Sequence, residues 1–130
     1  MAGRDPRFIA LATVSPYIVL ALGGCDVNAW QDQTAPMFMI SGGADTIATP
    51  SVNQQPIFDG APIPIVWGTY APADHLQVLG DGGAYRGPLT AWFRWRLMDD
   101  PNGASWFKKS DCSLCSAPDW SVQYNDMWTE

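Results

Sequence analysis

Basic residues are scarce in this chain. Lys and Arg together number seven, against thirteen Asp and Glu, and the formal net charge over 130 residues is −6. So few cations offer no surface for a phosphate backbone, which argues against nucleic acid as a partner. Charge of either sign is sparse, at 15%, whereas 47% of the residues are hydrophobic and 12% aromatic. That balance is the composition of a chain that folds around a core rather than of a disordered one. Long apolar runs are missing as well. The best, Tyr17 to Leu22, stops at Gly23-Gly24, far short of the ~18 residues that cross a bilayer, so no membrane span is expected. The opening Met1-Ala-Gly-Arg-Asp-Pro lacks the basic-then-apolar layout of a signal peptide. The expectation is one soluble, acidic, globular domain.

Three apolar runs are bounded by turn formers. Arg7 to Ser15, closed by Pro16, reads as a buried strand, Pro36 to Ser41 as a second, and Pro62 to Tyr70 as a third, weakened at its start by its prolines. Tyr17 to Ala35 has no period and reads as a long loop with one short turn of helix. Thr49, as N-cap, and Pro50, at the first helical position, open a short helix through Ile57. Gly80 to Gly87 is a Gly-rich loop. From Pro88 to Met98 the residues Leu89, Trp92, Phe93, Leu97 and Met98 fall near one apolar helical face, with Arg94 and Arg96 pointing elsewhere. Asp99-Asp100-Pro101-Asn102-Gly103 stops that helix. The order of elements predicts an α/β fold with a mostly parallel sheet. Residues 1–103 form its domain and 104–130 a tail without an assignable element. A sheet of three doubly buried strands needs more helices than these, so the chain reads as part of a larger sheet.

Two residues stand where the chemistry of such sheets collects, in the loops that leave the carboxyl ends of the strands. Asp45 follows the second strand in Ser41-Gly42-Gly43-Ala44-Asp45-Thr46, and His75, the only histidine, follows the third in Ala71-Pro72-Ala73-Asp74-His75. An acid there equally serves to cap a turn, and a loop histidine is commonly just solvated. Together, in the order acid then base, they match the last two members of the triad in α/β-hydrolases. Cys112-Ser113-Leu114-Cys115 has a spacing compatible with zinc, redox chemistry, a disulfide or buried thiols. A four-ligand zinc site would have only Cys25 and His75 left to draw on. Seven tryptophans raise the further reading of a carbohydrate-binding platform, but Trp92, Trp95 and Trp67 belong to core elements, which leaves Trp30, Trp106, Trp120 and Trp128.

Ile40-Ser41-Gly42-Gly43-Ala44-Asp45-Thr46-Ile47-Ala48 resembles the acid loop of cutinase-type polyester hydrolases and their dienelactone-hydrolase-like relatives. Ala73-Asp74-His75-Leu76 resembles the turn carrying the family histidine, and Thr90 to Asp100 the family's last long helix. Ser15-Pro16-Tyr17 is similar to a Thr-Pro-aromatic turn of those enzymes. The similarity runs through roughly residues 7–115. It implies a carboxylic-ester hydrolase of the serine-triad type, with His75 as general base and then acid, Asp45 as its orienting carboxylate, and Tyr17 lining the substrate pocket, though Tyr17 also reads as an aromatic covering the core. It implies no cofactor, and a Cys112–Cys115 disulfide tethering the tail, as in secreted members. Extracellular or periplasmic localisation follows from the same analogy. The departure is that no G-x-S-x-G occurs anywhere. Ser15, with Pro16 after it, and Ser41, on the acid's own loop, are poor nucleophiles. The resemblance therefore implies the C-terminal half of a hydrolase, whose partners are an ester substrate and a missing N-terminal half or complementing chain. The rival expectation is a non-catalytic chain, truncated or retained for binding.

Overall fold

A computed structural model describes residues 5–18 and 29–130; Cys25 and the apolar run after Ile18 lie outside the described residues. Four strands form one sheet in the order β1-β2-β3-β4: β1 (Leu11–Val14), β2 (Met37–Gly42), β3 (Ile65–Tyr70) and β4 (Trp120–Tyr124). The first three run parallel, with Leu11 opposite Met37 and Met37 opposite Ile65, and β4 is antiparallel to β3, with Tyr70 opposite Trp120. The class is α/β with a mostly parallel mixed sheet.

Every residue of β2 is buried, so its alternate side chains serve two cores. Phe38 and Ile40 meet Val66, Tyr85, Ala91, Trp92, Trp95, Phe107 and Trp128 on one face. Met37 and Met39 meet Ile57, Phe58, Ile65 and Trp67 on the other. The second face is covered by α1 (Pro50–Asn53) and α2 (Gln55–Gly60), the first by α3 (Arg86–Met98) and α4 (Pro101–Ala104). The faces of β2 and β3 are thus closed by elements of this chain, with more helix than the expectation of too few allowed.

Several elements differ from their sequence reading. The first strand is only Leu11–Val14 and half-buried, with Phe8 and Ile9 exposed, because β1 is paired on one side only among the described residues. The helix after Thr49 is broken in two at Gln54, since Pro56 brings no N–H to continue it. Thr49 holds the cap position without a side-chain hydrogen bond. The long helix begins at Arg86 and buries Pro88, Ala91, Trp92 and Trp95, while Phe93, Leu97 and Met98 are exposed. Its inward face is turned relative to the expected stripe because two indoles bury more area than Leu97 and Met98 would. Trp92 and Trp95 pack against Phe107 and Trp128, and Arg96 lays its guanidinium over both rings.

The stretch from 104 to 130 is part of this core. Besides β4 it contributes Phe107, Leu114 and Trp128, all buried. Of the seven tryptophans, Trp67, Trp92, Trp95 and Trp128 are buried and Trp30, Trp106 and Trp120 are half-buried. Buried Asn125 fastens the stretch to the strand before it, accepting from the Ile65 N–H at 2.9 Å and donating to the Ile63 carbonyl at 2.9 Å. Removing that amide leaves two buried backbone groups unpaired. Asn125→Ala should therefore cost about 1–3 kcal/mol, read as a lower denaturant midpoint with the slope unchanged.

Candidate active site

The carboxyl ends of β1, β2 and β3 share one edge of the sheet, and each releases one of the residues singled out by sequence. After β1 the backbone turns at Ser15, whose φ is +44°, and Pro16 to Ile18 are clamped to the helix side. The Gln54 side chain donates to the Pro16 carbonyl at 2.6 Å, and the Ile18 N–H donates to Asn53 Oδ1 at 3.0 Å. Tyr17 lies between these clamps with its side chain exposed. It follows the carboxyl end of β1, and no hydrogen bond joins it to Asp45 or His75 among the described residues.

Asp45 and His75 do meet. His75 Nδ1 is 2.9 Å from Asp45 Oδ2, and the carboxylate is almost fully buried whereas the imidazole is partly open to solvent. The other carboxylate oxygen accepts the N–H groups of Ile47 at 2.9 Å and Ala48 at 2.7 Å. Capping its loop and orienting the histidine are therefore simultaneous tasks of one side chain. Burial on its own raises the Asp45 carboxyl, but the His75 contact and the two backbone N–H groups outweigh it and hold the acid below its ordinary range. With Nδ1–H donated to Asp45, the lone pair of Nε2 is left as the base. Nε2 has no hydrogen bond to a described residue.

What brings the pair together is backbone contact between the two loops. The Gly43 N–H donates to the Tyr70 carbonyl at 2.9 Å and the Ala44 N–H to the Ala73 carbonyl at 2.9 Å. A Cβ on Gly42 would run into the Ala73 carbonyl, and one on Gly43 would lie 2.8 Å from the Ala71 Cα and carbonyl oxygen. The two glycines are the space in which the base loop lies.

The serines divide by their partners. Ser41 Oγ accepts from Trp67 Nε1 at 2.8 Å and donates to Gln54 Oε1 at 3.2 Å, which commits it to holding the junction of α1 and α2 against the sheet. Ser15 Oγ is buried beside the Tyr85 hydroxyl, and neither forms a well-aligned hydrogen bond. Burial, with the charge of Asp45 adding to it, pushes the Tyr85 phenol up to about 12. The sequence does not mark Tyr85 as buried, because Gly80 to Gly87 reads as loop; an isolated aromatic among glycines is its one local signal. No serine hydroxyl bonds to His75 among the described residues. Nor do three His, Cys, Asp or Glu side chains converge to hold a metal ion there. Cys112 and Cys115 are joined as a disulfide on the opposite side of β4 from α1 and α2.

In comparisons with known proteins, no family model and no curated protein matches the chain. No helix among the described residues is long and apolar enough to cross a membrane.

Two outcomes follow from the geometry. Gly42→Ala should destabilise by about 1–3 kcal/mol and separate the pair, so that the ¹⁵N shifts of the single imidazole no longer report the Nδ1–H tautomer. The folded Asp45 carboxyl titrates below its unfolded value, so its contribution to stability is complete above the unfolded value of ~3.9 and is lost as pH falls through the lower folded value. Asp45→Asn should accordingly flatten the acid limb of a stability–pH profile measured by denaturation between neutral and strongly acidic pH.

Proposed function

We propose that this chain carries the acid and base of a serine-triad carboxylic-ester hydrolase of the α/β-hydrolase fold, similar to the cutinase-type and dienelactone-hydrolase-like enzymes. The observation that carries the reading is the 2.9 Å contact between a buried Asp45 and a half-open His75, each at the carboxyl end of adjacent parallel strands. In this reading Nε2 of His75 takes the proton of a serine hydroxyl as it attacks the ester carbonyl, and returns it to the departing alcohol. Asp45 keeps the tautomer and stabilises the imidazolium. Tyr17, exposed on the same edge, lines the acyl pocket.

The nucleophile and oxyanion donors come from a segment outside these 130 residues, whether an N-terminal half or a complementing chain. The edge of β1 that has no partner among the described residues is where its strand would add. The disulfide is in keeping with an oxidising, extracellular or periplasmic setting. A second reading, of a non-catalytic chain retained for binding, has one observation in its favour: no serine reaches His75 among the described residues.

The test is an assay on short-chain p-nitrophenyl esters, with the chain alone and then joined to a segment bearing a G-x-S-x-G elbow and an oxyanion loop. The chain alone should show no burst. The joined protein should hydrolyse the esters, His75→Ala should lose roughly 10⁴-fold or more in kcat/KM, and Asp45→Asn should not add to that loss. Tyr17→Ala should chiefly raise KM. Full activity in His75→Ala would remove the reading, and an inactive joined protein would leave the binding chain in its place.

A further inference from the structure

The Cys112–Cys115 bond closes a loop that is held by other means. The Ser113 N–H donates to the Ser105 carbonyl at 2.9 Å, the Leu114 N–H to the Trp106 carbonyl at 3.3 Å, and the Ala117 N–H to the Leu114 carbonyl at 3.2 Å. The Leu114 side chain is buried in the core. Opening the disulfide would break none of these contacts, so the loop has a native place in either oxidation state.

The two sulfurs are not equivalent. Cys115 is exposed, whereas Cys112 is half-buried and packs against the aromatic core. Cys112 Sγ accepts the N–H of Cys115 at 3.1 Å, a donor that stabilises a thiolate at that position. It also lies 3.4 Å from the Trp106 carbonyl, an acceptor that a disulfide sulfur, having no proton, cannot serve but a thiol can. The Tyr124 hydroxyl stands 3.4 Å from Cys115 Sγ, and burial raises its phenol so that it stays a donor.

We propose that Cys112–Cys115 is a thiol–disulfide exchange site for a dithiol, entered at the exposed Cys115 sulfur with Cys112 as the leaving group. A thiolate of the dithiol attacks Cys115 Sγ, the Cys112–Cys115 bond breaks, and the electron pair goes to Cys112, which is protonated from bulk solvent so that its S–H can face the Trp106 carbonyl. The second thiolate of the dithiol then attacks its own sulfur in the mixed disulfide. Cys115 departs as a thiolate and is protonated. The balance is one protein disulfide reduced to two thiols and one dithiol oxidised to its cyclic disulfide, with two electrons and two protons moved. Exposed disulfides are the exchangeable ones, whereas buried structural bonds wait for unfolding. This role is independent of the ester chemistry proposed for Asp45 and His75.

The experiment has two arms on the native protein. In the first, dithiothreitol is added with and without denaturant, and the thiols are alkylated and mapped by peptide mass spectrometry. The native rate for Cys112 and Cys115 should fall within about 10-fold of the unfolded rate, with the near-ultraviolet circular dichroism of the tryptophan core retained. A native rate slower than that, or loss of the core signal on reduction, would show a structural bond and overturn the proposal. In the second arm the disulfide is challenged with glutathione and quenched early. The glutathione adduct should lie on Cys115 in at least about 10-fold excess over Cys112; a smaller excess, or an adduct mainly on Cys112, would overturn the assigned direction of attack.

Discussion

A strand buried on both faces cannot stand alone, and β2 is such a strand. Its parallel neighbours cannot be reached by a tight hairpin, because parallel pairing needs a crossover long enough to return the chain to the same end of the sheet. The crossover after β2 is α1 and α2, which close one face with Ile57 and Phe58. The elements after β3 must then close the other, and they do so mostly with rings: Tyr85, Trp92, Trp95, Phe107 and Trp128 around Phe38. A chain with so few charged residues can afford a core on both sides of a four-stranded sheet.

The candidate site is a product of the same pairing. Parallel strands put their carboxyl ends side by side, so loops far apart in sequence leave the sheet together. Gly42 and Gly43 then let the backbone after β3 lie directly against the backbone after β2, and a buried carboxylate reaches an imidazole from the neighbouring loop. Asp45 is held by two N–H groups of its own loop before it meets His75, which fixes the acid's position independently of the base. Preorganisation of this kind is what an acid–base pair requires, since its value depends on orientation being settled in advance.

The carboxyl-terminal stretch supports that arrangement from the far side. β4 pairs with β3, and the Asp119 carbonyl accepts the Ala71 N–H at 2.8 Å, the first residue of the loop that carries His75. Asp119 does so with a φ of +64°, a left-handed turn that redirects the chain from the disulfide loop into β4. The tail is thus a brace for the base loop as well as a lid on the aromatic core.

The sequence by itself determined the α/β class, two of the three parallel strands to within a few residues, and the positions of Asp45 and His75 after two of them. Those features depend on local information: apolar runs closed by glycine or proline, and an acid or base just beyond. Tertiary structure decided the rest, because each remaining feature depends on a partner distant in the chain. β4 has an alternating pattern too short to read without β3 beside it. The buried face of α3 was settled by Phe107 and Trp128, which no helical period in residues 88–98 contains. Tyr85 became a buried phenol that feels the charge of Asp45 only when the chain after the Gly-rich loop packed into the core. The half-buried state of β1 came from its having a neighbour on one side only among the described residues, a property of sheet order that no single strand encodes.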